Sequence, residues 1–101
     1  MNRMTLSTHV LDLASGRPAA GVAVLLLDPQ GESVGADETD QDGRLRFEGD
    51  FEPGQYTLRF ELAGVTQLYE SLSLQVRLRE GRHYHLPVLV SAFGLTTYRG
   101  S

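Results

Sequence analysis

The sequence predicts an all-β fold, a two-sheet β-sandwich of roughly seven to eight short strands. Apolar and polar residues alternate at every second position along most of the chain, which is the pattern of strands that bury one face. Clusters rich in Gly, Pro and Asp separate these runs, as expected for tight turns. The uninterrupted apolar run at residues 22–27 is typical of a central strand that is covered on both faces.

The first half of the chain supplies three predicted strands. Residues 6–11 alternate between two sets of side chains, so every second one is expected to face the core. The strand at 22–27 follows a turn at residues 15–18, which read Ser-Gly-Arg-Pro. The third strand, around residues 45–47, follows the Asp-Gln-Asp-Gly turn at residues 40–43 and has an apolar residue on either side of an arginine.

The second half of the chain supplies three further predicted strands. Residues 56–62, 72–78 and 84–90 each place an apolar residue at every second position. Residues 63–69 lack this alternation, and we expect one short helix there. The predicted architecture is therefore all-β with a single short helical segment.

The composition sets limits on the fold and on the chemistry. A chain of 101 residues is large enough for one hydrophobic core, so we expect a single domain spanning residues 1–101. The absence of cysteine excludes a disulfide framework and a thiolate metal site, and it agrees with a reducing, cytoplasmic location. All nine basic residues are arginine, which excludes lysine nucleophiles and Schiff bases.

Charge and hydropathy argue against a nucleic-acid or membrane partner. The formal net charge is −4 and the arginines are scattered among acidic residues, whereas surfaces that bind nucleic acid are basic. The longest apolar run, residues 21–27, is too short to span a bilayer. The N-terminal residues enter a strand pattern without a hydrophobic signal region, so we do not expect export.

Three side chains with catalytic potential are predicted to point away from the core. Because alternate residues of a strand face opposite ways, His9, Arg44 and His85 lie opposite the apolar residue that follows each of them. The same outward faces carry Leu11 and Leu89, so they are not uniformly polar. A partly apolar outer face that bears histidines favours a pocket or an interface between subunits.

The spacing of the histidines leaves a metal site as an alternative. His83 and His85 share one face of a strand, and His9 on a neighbouring strand could complete a zinc site with three histidine ligands. No Asp or Glu adjoins these histidines on their strands to orient them. From the residues alone, a zinc-dependent site and a metal-free site both stay open.

Motifs at the two ends of the chain resemble a known family. Residues 16–22 and 39–44 are similar to many prealbumin-like sandwich modules. Residues 6–12, Leu-Ser-Thr-His-Val-Leu-Asp, and residues 83–87, His-Tyr-His-Leu-Pro, with the C-terminal Thr-Tyr-Arg-Gly-Ser, resemble the transthyretin-related 5-hydroxyisourate hydrolases. In that family the final Tyr-Arg-Gly-Ser distinguishes the enzymes from transthyretin, the hormone carrier. The resemblance spans nearly the whole chain and implies a transthyretin-like sandwich.

The resemblance also implies which residues form the site. The implied catalytic residues are His9, Arg44, His85 and Ser101. The implied substrate-binding residues are His9, Arg44, Tyr98, Arg99 and Gly100. Neither a metal nor a cofactor is implied.

The implied reaction is the hydrolysis of the cyclic amide of 5-hydroxyisourate, the product of urate oxidation. The product would be 2-oxo-4-hydroxy-4-carboxy-5-ureidoimidazoline. A pair of histidines can activate water and move a proton, because imidazole exchanges protons near neutral pH, and the sequence leaves open which of the two is the base. A guanidinium offers a planar fork of donors for the substrate or for a developing oxyanion.

The resemblance further implies a homotetramer, built as a dimer of dimers, that binds its small-molecule substrate between the dimers. The alternative is a non-enzymatic transthyretin-like tetramer that only binds a small molecule. In that case His9, Arg44 and His85 would be dispensable for function.

Overall fold

The computed structural model of the chain describes residues 3–79 and 81–100, which form nine strands in two sheets. In chain order the strands are β1 (Arg3–Asp12), β2 (Arg17–Pro18), β3 (Ala23–Leu27), β4 (Ser33–Glu38), β5 (Arg44–Asp50), β6 (Gly54–Glu61), β7 (Ser71–Leu78), β8 (His83–Val90) and β9 (Leu95–Thr97). The first sheet has the order β2-β1-β8-β9, with β5 also paired to β1, and the second has the order β4-β3-β6-β7. The predicted all-β sandwich is confirmed.

Strand β1 lies in the middle of the first sheet. It pairs antiparallel with β5 on one side and parallel with β8 on the other. Parallel strands need a long crossover connection, and here the connection from β1 to β8 contains every strand of the second sheet. The beginning and the end of the chain are thereby brought side by side.

The hydrophobic core fills the space between the two sheets. Leu6 and Val10 of β1 and Leu58 and Phe60 of β6 are at most 2% exposed, as the alternation predicts. Burying a side chain of this size contributes about 1.5–3 kcal/mol relative to leaving it in water. Strand β3 lies inside its sheet, between β4 and β6, as predicted for a central strand. Its outer face is partly exposed, so the prediction that both faces are covered is wrong for that face.

The turn that leads into β5 is built around Asp40. Its Oδ1 accepts hydrogen bonds from the backbone N–H groups of Asp42 and Arg44, both at 2.9 Å. Gly43 has a φ of +74°, and a Cβ at this position would lie 2.5 Å from the carbonyl oxygen of Val10. Glycine is therefore required at position 43, and the turn fixes where Arg44 begins its strand.

The prediction of a short helix at residues 63–69 is wrong. The segment forms turns, in which the N–H groups of Val65 and Thr66 both donate to the carbonyl oxygen of Leu62. The hydroxyl of Thr66 accepts a hydrogen bond from the N–H of Leu68 at 3.2 Å, which gives the backbone a partner outside a helix. Gly64 and the β-branched residues after it also disfavour helix. Within residues 3–79 and 81–100, no helix is long and apolar enough to cross a membrane.

The requirement for glycine at position 43 can be tested by substitution. Gly43→Ala should lower the free energy of unfolding by about 3 kcal/mol, because the methyl group adds a backbone clash to the cost of a left-handed conformation. Gly31→Ala is the matched control, since Gly31 has a φ of +84° and nothing within 4 Å of its Cβ position. The control should lose only about 1 kcal/mol. Urea unfolding of both variants measures the difference, and equal losses would contradict the account of this turn.

Candidate active site

An open groove of about 710 Å³ lies on the outward face of the first sheet, and we call it the outer groove. Its lining includes Ser7, Arg44, Arg46, His83 and His85, together with Asp37, Glu38 and Asp40. The first five project from β1, β5 and β8, which lie side by side in the sheet. The outer groove therefore collects imidazole, guanidinium and carboxylate groups around one open space.

The strand register sets the positions of these side chains relative to one another. On β1, His9 lies directly opposite Arg44 of β5, and Ser7 lies directly opposite His85 of β8. Side chains directly opposite each other across antiparallel strands have Cβ atoms roughly 4.5–5.5 Å apart, and diagonal neighbours lie within reach of long side chains. Thus His9, Arg44 and His85 occupy adjacent rows of one outward face. The structure brings together the three outward residues singled out in the sequence.

His85 has a hydroxyl partner on the neighbouring strand. Its Nδ1 is 2.8 Å from the hydroxyl oxygen of Ser7, at hydrogen-bonding distance, and its side chain is partly buried. Burial lowers the pKa of His85 below its ordinary value of 6.5, because it disfavours the charged ring. The nearby positive charges of His83, Arg44 and His9 lower this pKa further. The imidazole of His85 is therefore biased towards its neutral form.

Arg44 is exposed at the start of β5, where the Asp40 turn holds its backbone. Its neighbour on the same face, Arg46, pairs with the carboxylate of Glu48 at 3.3 Å. Among the residues that the structure describes, Arg44 makes no ion pair. Its guanidinium is thus available to a ligand in the outer groove, whereas that of Arg46 is already engaged.

His83 lies one row from His85 and has its own hydroxyl partner. Its Nδ1 is hydrogen-bonded to the hydroxyl of Thr5, which lies opposite it in the register. Across residues 3–79 and 81–100, no three His, Asp or Glu side chains form a group that could hold a metal ion. The zinc site that His9, His83 and His85 could have formed is therefore not assembled in the described part of the chain.

The C-terminal segment folds back along β8 towards His85. Strand β9 pairs with the end of β8, and the N–H of Gly100 donates to the carbonyl oxygen of His85 at 2.7 Å. A Cβ at Gly100 would lie 2.7 Å from the ring carbon Cδ2 of His85, so only glycine fits against this face of the imidazole. Arg99 stacks its guanidinium 4.9 Å from the ring centre of Tyr84 and donates to the carbonyl oxygen of His83 at 3.4 Å. The β9 pairing and the contacts of Arg99 and Gly100 therefore hold the end of the described chain against β8.

Some predicted site residues do not line the outer groove. His9 lies one row beyond it, Arg99 is engaged with β8, and Tyr98 is 53% exposed. Ser101 lies outside the described residues. Conversely, Ser7 lines the outer groove but is not among the predicted site residues. Alternation does place Ser7 on the same outward face as His9, but its partner on β8 depends on a register that alternation cannot supply.

Comparison with known proteins identifies the family. The family model described as HIUase/Transthyretin family matches residues 6–100. A protein of Schizosaccharomyces pombe named "Probable 5-hydroxyisourate hydrolase" is 39% identical over an alignment of 112 positions. The alignment covers 95% of this chain and 90% of the relative. The solved structure of Klebsiella pneumoniae 5-hydroxyisourate hydrolase matches with a TM-score of 0.86 and 36% identity, over 97% of this chain and 99% of that chain.

Transthyretin, the hormone carrier, has the same fold. The crystal structure of transthyretin from Sparus aurata matches with a TM-score of 0.83 and 25% identity, over 94% of this chain and 95% of that chain. The family match covers nearly all of the sequence, and the two hydrolases share more of its residues than this carrier does. The chain belongs to the HIUase/Transthyretin family.

Proposed function

We propose that this chain is a 5-hydroxyisourate hydrolase, which opens the cyclic amide of 5-hydroxyisourate in urate degradation. Water would add to the amide carbonyl carbon and the bond to the ring nitrogen would break, giving 2-oxo-4-hydroxy-4-carboxy-5-ureidoimidazoline. The observation that carries the proposal is a histidine with a lowered pKa, His85, set beside a His9–Arg44 pair on one outward face. The similarity to hydrolases of this name gives the reaction its substrate.

His85 acts as the general base in this proposal. A base must be unprotonated before it can take a proton from water, and the lowered pKa of His85 favours that form near neutral pH. Ser7 occupies Nδ1, so Nε2 is the nitrogen that can face the attacking water. A positioned general base typically contributes a factor of about 10² to 10⁴ to the rate.

Arg44 stabilises the negative charge that develops on the amide oxygen, and His9 protonates the ring nitrogen that leaves. The amide oxygen becomes negative as water adds, and the guanidinium of Arg44 offers donors to that oxyanion. The ring nitrogen that leaves must gain a proton, and His9, which lies opposite Arg44, is placed to donate it. The proton gained by His85 and the one lost by His9 then exchange with solvent, so both side chains return to their starting state.

The C-terminal residues complete the pocket in this proposal. Gly100 packs against the imidazole of His85, and the backbone between Arg99 and Gly100 is tied to β8. Tyr98 is half exposed next to this segment, so it is assigned to the binding of substrate at the rim of the site. Ser101 lies outside the described residues, and its catalytic role stays a prediction. No metal or cofactor takes part in the proposed steps.

We further propose that the chain works as one domain, in a cytoplasmic homotetramer built as a dimer of dimers. The outer groove is open on one side, and the outward face beside it carries Leu11 and Leu89, which are only partly exposed. A second subunit packed over this face would close the groove and exclude water from the reaction.

The activity can be measured directly. A urate oxidase generates 5-hydroxyisourate from urate, and its ultraviolet absorbance is followed with and without the protein. The protein should accelerate the decay, His85→Ala should lose about 10² to 10⁴ in kcat/KM, and Arg44→Ala about 10² to 10³. Ser73→Ala, which changes an exposed residue on the second sheet, should keep full activity. Decay no faster than the spontaneous rate would refute the proposed function.

The lowered pKa of His85 predicts the pH dependence. Because the neutral ring is the active form, kcat/KM should fall as the pH drops, and the midpoint of this acid limb should lie below 6.5. The free energy of unfolding should depend on pH in the same direction. Between pH 6.5 and the lowered pKa of His85, this side chain binds a proton more tightly in the unfolded chain than in the folded one. The free energy of unfolding therefore falls as the pH is lowered through this window. Rate profiles and urea unfolding of the wild type and His85→Gln measure both effects. An acid limb centred at or above 6.5 would exclude His85 as the base.

The contact between Gly100 and His85 predicts a substitution that harms activity more than stability. The methyl group of Gly100→Ala would meet Cδ2 of His85 at 2.7 Å, so either the ring or the chain end must move. Displacement of a reacting group by about 1 Å can cost roughly a factor of 10² in rate, so kcat should drop by about that factor while the urea midpoint hardly changes. Gly64→Ala, whose Cβ position has nothing within 4 Å, is the control and should behave as wild type. An unchanged kcat in Gly100→Ala would show that this contact does not position His85.

A further inference from the structure

A hydrogen bond joins the side chains of Ser7 on β1 and His85 on β8. The Ser7 hydroxyl oxygen lies 2.8 Å from Nδ1 of His85, across neighbouring strands that are in parallel register. Among the described residues, the imidazole of His85 makes no other hydrogen bond, and Ser7 makes none with its hydroxyl besides this one. Each of the two side chains is thus the other's only side-chain partner.

The backbone around this pair leaves little freedom to the ring. Ser7 and His85 are held in register by the β1–β8 ladder, and the Gly100 backbone covers the Cδ2 edge of the imidazole. A ring flip would replace Nδ1 by a carbon atom opposite the Ser7 hydroxyl and would break the hydrogen bond. The contacts on both sides therefore specify which ring nitrogen faces Ser7 and which one is left for the substrate.

The tautomer follows from the chemistry of a base. If Nε2 takes the proton from water, it must carry a lone pair, and in a neutral imidazole the proton then sits on Nδ1. The Nδ1–H group donates to the Ser7 oxygen before the reaction, and it still donates after Nε2 has become protonated. The same hydrogen bond thus persists through the cycle, with no rearrangement at Nδ1.

A hydroxyl suits this task better than a carboxylate would. A carboxylate at Nδ1 would hold the same tautomer, but its negative charge would stabilise the imidazolium and raise the pKa of His85. The neutral hydroxyl orients the ring and leaves the pKa lowered by burial and by the neighbouring positive charges. The site therefore gains orientation without making its base more likely to be protonated.

We propose that Ser7 is a positioning residue, which accepts a hydrogen bond from Nδ1–H of His85 and so holds the neutral tautomer that presents the Nε2 lone pair to the attacking water. The proposal rests on the proposed function, since it assigns the base role to Nε2. It concerns the orientation of His85, and it requires no contact between Ser7 and the substrate.

The direct test is the tautomer of His85, observed by ¹⁵N NMR of the imidazole nitrogens above the pKa of the ring. The wild type should show His85 with Nδ1 protonated and Nε2 unprotonated. Ser7→Ala should shift the ring towards the Nε2–H tautomer, which free histidine prefers in water. Ser7→Thr, which keeps a hydroxyl on the same strand position, should retain the wild-type spectrum. A wild-type ring protonated at Nε2, or a Ser7→Ala spectrum identical to wild type, would overturn the proposal.

Kinetics provide the second readout. Ser7→Ala should lower kcat by about a factor of 10 to 100 with little change in KM, because orientation is lost while the substrate contacts remain. Ser7→Thr should restore most of that loss. Thr5→Val is the matched control: it removes the hydroxyl partner of His83, one row away, and should leave both kcat and the His85 tautomer as in wild type. Wild-type kcat in Ser7→Ala, or an equal loss in Thr5→Val, would contradict a specific role for Ser7.

The two readouts separate failure of this inference from failure of the proposed function. If the protein does not accelerate 5-hydroxyisourate decay, the function is wrong, and the NMR spectra still decide whether Ser7 sets the tautomer. If the decay is accelerated but Ser7→Ala changes neither kcat nor the tautomer, the function stands and the role of Ser7 is wrong.

Discussion

The parallel pairing of β1 with β8 is the constraint on which the candidate site depends. It joins two strands that are separated by the whole second sheet in the sequence, and it sets Ser7 beside His85 and His9 one step further along. Side chains alternate along a strand, so a slip of one residue in this pairing would turn the outward set of one strand inwards. The buried inner residues, such as Val10 and Val88, make that slip costly. The core therefore protects the geometry of the outer face.

The electrostatics of the outer face follow from the same arrangement. Imidazole and guanidinium groups from three adjacent strands face one space, and each makes a positive charge on His85 less favourable. A carboxylate partner would have cancelled this effect at the ring, whereas a hydroxyl leaves it intact. The acidic residues Asp37, Glu38 and Asp40 line the same groove. The groups that lower the pKa of His85 are instead the histidines and the arginine on its own sheet.

Alternation alone identified the sandwich, most of its strands and the outward direction of the three candidate residues, because each of these depends only on neighbours in the sequence. The partner of Ser7 was beyond it, since the pairing with His85 is set by a register between distant strands. Strand β4 (Ser33–Glu38) also escaped prediction, because an exposed edge strand needs no apolar face. It is held by its ladder to β3, and Phe47 packs so closely over Gly35 that a Cβ there would lie 2.8 Å from the ring. The helix predicted at residues 63–69 is absent for a different reason: the Thr66 hydroxyl accepts a backbone N–H there, and the segment forms turns.

The β1–β8 pairing also determines when the site forms during folding. The two hydroxyl–imidazole bonds each link residues 78 positions apart, so neither exists until almost the entire chain has been synthesised and has folded. Contacts between such distant residues form late and slowly, because a long loop must close before they stabilise anything. A chain in which β1 and β8 have not yet paired lacks both bonds, so Ser7 does not orient its His85. Recovery of catalysis during refolding would therefore report the pairing of β1 with β8.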